Sequence, residues 1–253
     1  MKINLIFNRN IQNIIGINDD LLCNISNDFQ WFKKHTSSLE QDNGKSIGKK
    51  NVIIMGYNTW LSLPTKPLPN RINIILSKNN SSVFVNESND NIKSFTSLET
   101  TFRFLKTIEY HKIFIIGGSI LFKNVIANYP HYIECIYETL VHKNYINNDN
   151  DNDNNQKKIH YFDYKIDNHF IKIYHKDCKT DGIMNNNFKE KIDYSFHIYQ
   201  HSDKINKNEM EYLRLLSKIN NLNKFKNTRN SNVLSSFGEK MTFDLRLGFP
   251  LLT

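Results

Sequence analysis

The chain has 253 residues, 39% of them apolar and 12% aromatic, which supports a substantial core and excludes a disordered polypeptide. No stretch reaches the roughly 18–20 consecutive apolar residues of a membrane span, and the opening MKINLIF is too short for a secretory core, so the expected compartment is the cytosol. Three cysteines (Cys23, Cys135, Cys178) without a CxxC pair suggest neither a disulfide framework nor structural zinc, and a net charge of +8 on scattered lysines suits an anionic small-molecule partner as well as nucleic acid.

The first apolar run, NLIF, predicts a strand and is followed by IIGINDDLLCNISNDFQWFKKHT. Ser26 or Asn27 is placed to cap a helix whose first turn carries Asp28, and Asp28 and Phe32 share a face at i, i+4. An acid beside Phe32 at a core-facing helix start is desolvated, which raises a carboxyl pKa and suits proton management. Taken alone, Asp28 reads better as a first-turn acid complementing the helix dipole.

Residues 37–51 are polar, and their GKS triplet lacks the earlier glycine and preceding strand of a phosphate loop, so an insertion is expected. Next, IIMGYNTWLSLPTKPLPNRINIILSK predicts a strand, a glycine, a short helical turn, a Pro-rich bend and a second strand. Gly56 permits close backbone approach to a ligand, Thr59 stands near a helix start where phosphate binds, and Arg71 offers a planar fork to a carboxylate. The plainer readings are Trp60 as core and Arg71 as a strand-edge charge. Further on, KIFIIGGSILF is a buried strand entering Gly117, Gly118 and a helix, the place in open α/β sheets where nucleotide phosphates sit, although no G-x-G-x-x-G fingerprint is present.

After ECIY, every residue from Asn147 to Asn155 is Asn or Asp, a solvated insertion near 147–158. Its D-x-D-x-D spacing from Asp149 is not a calcium loop, because Asn154 and His160 occupy the glycine and glutamate positions. The runs at Phe170–Tyr174 and Tyr194–Tyr199 lack an intervening helix and predict an antiparallel hairpin. Apolar runs without alternation imply strands covered on both faces, and hence an α/β fold with a mostly parallel sheet. Residues 202–208 read as a linker. From Glu209, Tyr212, Leu213, Leu216 and Ile219 have helical spacing.

In this order and spacing, the three glycine- and acid-bearing pieces and the closing YSFHIYQ strand resemble dihydrofolate reductase over residues 1–201. The resemblance implies a mixed, mostly parallel sheet of eight strands flanked by helices, and NADPH-dependent reduction of dihydrofolate. It implies Asp28 as the single active-site acid, with Thr139 bonded to it. Phe32 and Leu68 would line the pterin and aminobenzoyl pocket, Arg71 would pair with the glutamate tail, and Ile6 and Ile116 would place backbone carbonyls near the pterin. For the cofactor it implies Gly16 and Ile17 ahead of a covering loop at Asn18–Asn24. Gly56, Asn58 and Thr59 would meet the pyrophosphate, Ser77 and Lys78 the 2′-phosphate, and Gly117, Gly118 and Ser119 the nicotinamide side. No metal is implied.

The sequence departs from the family pattern at Leu22 and Cys23, where Pro-Trp is usual, at Tyr57 in place of a basic residue, and at Phe122 in place of tyrosine. Activity is expected to persist, slower and with weaker NADPH affinity. The tail, NEMEYLRLLSKI with LSSFGEKMTFDLRLGFPLLT, resembles the beginning of thymidylate synthase, with Arg229 aligned to a nucleotide-phosphate arginine if one residue has been lost. The synthase nucleophile belongs far downstream, so residues 209–253 are expected to lack synthase activity. They suit contact with a synthase or with a second copy of the chain. The alternatives are a reductase-like folate- or NADPH-binding module with little turnover, a pyrimidine reductase of the riboflavin pathway, and a basic nucleic-acid binder. The paired Asp28 and Arg71 argue against the second, and the scattered charge against the third. No membrane partner is expected.

Overall fold

The computed structural model describes residues 1–18, 20–37, 41–42, 45–46, 48–78, 91–145, 158–184 and 189–205, and, of the C-terminal segment, 212, 214–216, 218–219, 225–227, 232–234 and 238–241. In chain order the elements begin with β1 (Ile3–Asn10), β2 (Ile14–Ile17), β3 (Asp20–Leu21), β4 (Cys23–Asn24) and helix α1 (Ser26–Thr36). After the short pair β5 (Gln41–Asp42) and β6 (Lys45–Ser46) come β7 (Asn51–Gly56), α2 (Tyr57–Ser62), β8 (Arg71–Leu76), β9 (Ile92–Phe95) and α3 (Leu98–Leu105). Then follow β10 (Ile113–Gly117), α4 (Ser119–Asn128), β11 (Ile133–Val141), β12 (Ile159–Tyr161), β13 (Phe170–Met184) and β14 (Lys189–His201). In the tail, β15 (Phe225–Asn227) pairs antiparallel with β16 (Asn232–Leu234), and Tyr212, Arg214–Leu216 and Lys218–Ile219 are helical.

The main sheet runs β4-β13-β14-β11-β1-β10-β7-β8-β9. It holds the eight full strands that the resemblance implies, plus the two-residue β4 at one edge. Pairings from β11 through β1, β10, β7 and β8 to β9 are parallel, while β14 and β13 form an antiparallel hairpin. A smaller sheet, β12-β2-β3, folds the chain that follows β1 against the end of the chain's second insertion.

Both faces of the parallel region are covered, which is why its strands read as unbroken apolar runs. On one face Leu5, Phe7, Ile115, Phe122 and Phe162 pack with Phe102 and Leu105 of α3, whose buried positions Leu98, Thr101, Phe102 and Leu105 follow helical periodicity. On the other, Ile6, Met55, Trp60, Phe114 and Tyr137 form a second cluster beneath α1 and α2. Truncating Phe122, which is 1% exposed between Phe7 and Phe162, would cost about 3–5 kcal/mol. Buried polar residues cross the sheet centre: Arg9 contacts Glu138 at 2.7 Å through both Nε and Nη2, and Glu138 Oε2 lies 2.8 Å from His197 Nδ1.

Two local expectations need correction. Helix α1 begins at Ser26 with Ile25 as its N-cap, and no side chain caps it; Asn27 instead donates to the Tyr194 hydroxyl at 3.0 Å. The first insertion is also narrower than 37–51. Ser37 is buried, and buried Asn51 opens β7 and donates to the Thr36 carbonyl at 3.0 Å. Part of the first insertion, nearly all of the second and most of the tail lie outside the described residues.

Candidate active site

The site lies where β1, β7 and β10 end together and α1, α2 and α4 begin. Asp28, in the first turn of α1, faces β1 and β11. Its Oδ1 accepts from the Thr139 hydroxyl at 2.6 Å and its Oδ2 from Asn8 Nδ2 at 3.0 Å. Burial raises the Asp28 pKa above the ordinary carboxylate range, and the bonds from Thr139 and Asn8 oppose that shift without cancelling it. An acid so placed holds a proton more readily than a surface carboxylate does. Cys23 lies behind it, 2% exposed, its thiol pushed up to about 12 chiefly by burial and then by the Asp28 charge.

Eight residues along α1, Thr36 accepts from Arg71 Nη1 at 2.7 Å, while Arg71 Nε donates to the Pro69 carbonyl at 3.0 Å. The guanidinium carbon stands 5.8 Å from the Phe32 ring centroid. Burial brings the Arg71 pKa down to about 10, so it stays cationic near neutral pH. With a rise of 1.5 Å per residue, Asp28 and Thr36, which holds the guanidinium, stand about 12 Å apart along the helix axis. Phe32 and Leu68 pack at the margin of the Ile6–Trp60–Phe114 cluster between them. Asn73, wholly buried, donates to the Leu68 carbonyl and accepts from the Leu68 amide, both at 3.0 Å, so the Pro-rich bend is fixed from below.

Beside this cleft, Asn8, Ile15, Gly16, Asn58, Thr59, Ile116, Gly117, Gly118, Ser119 and His160 are among the residues lining a cavity of about 150 Å³. It adjoins a larger groove of about 690 Å³ lined by Gly56, Tyr57, Ser77, Lys78, Ser97 and Glu99 among others. Gly117, at φ +135°, would place a Cβ 3.2 Å from Thr59 Oγ1, and a Cβ on Gly16 would stand 2.6 Å from the Asp20 carbonyl. Neither position admits a side chain. Gly118 is the N-cap of the ten-residue α4 without a side-chain cap, so first-turn N–H groups remain beside the groove. The two cavities, the glycine cradle and the adjacent Ser77 and Lys78 fit an elongated phosphorylated dinucleotide. Glu99 and Lys78 place opposite charges on the groove lining, and Tyr57 adds none.

The structure thus gathers Thr139 of β11, Leu68 of the bend and Arg71 of β8 around Asp28 and Phe32 of α1, and Gly16, Gly56, Asn58, Thr59, Ser77, Lys78, Gly117, Gly118 and Ser119 around the two cavities. Ile6 is 5% exposed beneath the cleft, and Ile116 lines the smaller cavity. Ile17 lies apart from both cavities' lining, 1% exposed in a cluster with Leu22 and Ile25. Sequence reasoning missed Asn8, although a polar residue two positions after buried Ile6 on the same strand face was a usable signal. It also missed His160, which lines both cavities and lies beyond a low-complexity tract that gave no cue.

An open α/β sheet with a groove at its carboxyl edge, beside a sequestered acid and a buried arginine, is the arrangement of a nucleotide-binding α/β type of domain. A family model described as dihydrofolate reductase matches residues 2–201, and the chain belongs to that family. The bifunctional dihydrofolate reductase-thymidylate synthase of Plasmodium chabaudi is 29% identical over 88% of this chain and 46% of its own length. The protein of the same name from Paramecium tetraurelia is 27% identical over 94% of this chain and 45% of its own. The chain therefore spans about half the length of these relatives. A dihydrofolate reductase from Enterococcus faecalis, solved with NADP(H) and RAB-propyl, shares the fold at a TM-score of 0.55 and 21% identity, over 80% of this chain and 97% of its own.

Proposed function

We propose that this chain reduces 7,8-dihydrofolate to tetrahydrofolate with NADPH, in support of one-carbon metabolism. The observation that carries the reading is a desolvated acid in the first turn of α1, beside the dinucleotide cavity, together with the buried guanidinium of Arg71 on β8, which is bonded to Thr36 in the last turn of the same helix, about 12 Å further along. A pterin with an acidic tail has matching chemistry at both ends.

The dinucleotide, when bound, supplies the hydride. The chain's residues do the rest. Asp28 binds the heterocycle's amino and ring N–H groups and, because burial raises its pKa, supports delivery of the proton that the reduction consumes. Phe32 and Leu68 exclude water from the ring faces, while Arg71, braced by Thr36 and Pro69, anchors the tail carboxylate. Gly117, Gly118 and Thr59 let the cofactor approach close to the backbone, and orientation at near-contact distance lowers the barrier.

The test is steady-state NADPH oxidation with dihydrofolate, compared with Asp28→Asn. Turnover falling at least 100-fold in the variant, with dihydrofolate still bound, supports the assignment. Binding without Asp28-dependent turnover instead assigns a folate- or NADPH-binding module. We further propose that the reaction takes place in the cytosol and that residues 209–253 correspond to the start of a thymidylate synthase unit and engage a synthase partner. Support for the latter comes from the Paramecium match, whose 94% coverage reaches past residue 201. Co-elution of the chain with a separately made synthase, lost when residues 209–253 are deleted, is the expected result.

A further inference from the structure

Asn8 occupies the wall between the acid and the cofactor cavity. It lies on the same face of β1 as Ile6, and it lines the smaller cavity. Its Nδ2 is engaged on both hydrogens, donating to Asp28 Oδ2 at 3.0 Å and approaching Cys23 Sγ at 3.9 Å. Its Oδ1, by contrast, is buried and has no hydrogen-bond partner. Leaving a buried acceptor unpaired is costly, so such an atom marks a place where a ligand donor is expected. The amide orientation is dictated by its neighbour, since reversal would press Oδ1 against a carboxylate oxygen.

The carboxylate has further acceptor capacity. Thr139 and Asn8 use one site on each Asp28 oxygen, and about two remain for a ligand. A heterocycle presenting an exocyclic amino group next to a ring N–H fills both. When the amino nitrogen pairs with Oδ2, its second N–H is turned toward the residue already bonded to Oδ2. That residue is Asn8, and its Oδ1 is the unpaired acceptor.

Resting on the reductase reading above, we propose that Asn8 is a specificity-determining residue, whose Oδ1 accepts the second hydrogen of the substrate's exocyclic amino group while its Nδ2 holds Asp28. Acid, amide and amino group close into one hydrogen-bonded cycle. The site then selects amino-substituted over unsubstituted heterocycles by a contact that Asp28 alone does not provide.

The test is a protein–ligand cycle on the full chain with NADPH bound. Dissociation constants are measured by fluorescence quenching for dihydrofolate and for its 2-desamino analogue, in the parent and in Asn8→Ala. Dihydrofolate is expected to weaken about ten-fold in the variant and the desamino analogue less than two-fold. Equal losses for the two ligands, or no loss for either, would overturn the proposal. Asn8→Ser, shorter and without the carbonyl, repeats the comparison if the alanine variant fails to fold, as judged by circular dichroism. A parent chain that does not bind dihydrofolate at all would instead defeat the reductase reading, and the two failures are thereby distinguished.

Discussion

At Asp28 two hydrogen-bond donors favour the ionised form and burial favours the neutral one, and burial prevails. The sign has two consequences. Because the folded-state pKa is raised, the Asp28 contribution to stability is present below the ordinary carboxyl range and is lost as pH rises through the raised value. At neutral pH the acid therefore strains the fold, and Asp28→Asn is expected to raise the thermal midpoint by a few degrees while nearly abolishing turnover. Calorimetry and NADPH oxidation on the same sample check both halves. The Asn8 amide is expected to turn over in that variant, so that its oxygen accepts from the new amide nitrogen. Second, the rate of reduction should fall as pH climbs past the Asp28 pKa, with an apparent value above the usual carboxyl range of roughly 3.9. A pH–rate profile that is flat across that region would refute the assigned role. Asp28 and Arg71 were legible in the sequence because each sits in a distinctive string. The partners that tune them were harder to read: Asn8 carried only its place two positions after Ile6 on β1, and the role of Thr36 emerges only when α1 lies across β8.

Helix α1 acts as a ruler, carrying the acid in its first turn and the arginine's brace in its last. Removing the Arg71 guanidinium, as in Arg71→Gln, is expected to raise KM for dihydrofolate about 10- to 100-fold with a smaller change in kcat, the span expected for a charge-assisted contact. Thr36→Val should give a milder version of the same split, whereas a substrate without the glutamate should be indifferent to both. Across the sheet centre, Glu138 balances Arg9 and His197. Burial alone would push its pKa up, but His197 and Arg9 hold it below the ordinary range, so its stabilisation is present above the unfolded value near 4.3 and is lost as pH falls through the folded one. Glu138→Gln is expected to cost about 3–5 kcal/mol in urea unfolding, and pairing Glu138→Leu with Arg9→Met to recover most of it. The parallel strands were readable from their unbroken apolar runs, and the hairpin from its lack of a helix. The cap of α1 was misplaced because Ser26 and Asn27 both satisfy the local rule, and tertiary contact with Tyr194 drew Asn27 away.

On the scale of the whole molecule, the continuous run of described residues ends after β14 at Ile205, which is 5% exposed. A chain ending at residue 205 is expected to keep its cooperative unfolding and its dihydrofolate turnover within about two-fold of the parent, as measured side by side. The long hairpin of β13 and β14 reaches well past its neighbours. At its far end Ile183 and Met184 pair with Asn24 and Cys23, immediately before α1 and directly behind Asp28. A sheet edge is ordinarily an invitation to another chain, and here the two residues of β4 cover its far end. The far strand of the hairpin is thereby tied to the segment that leads into the acid's helix, so a change in that register would reach Asp28 through Cys23 and Asn24.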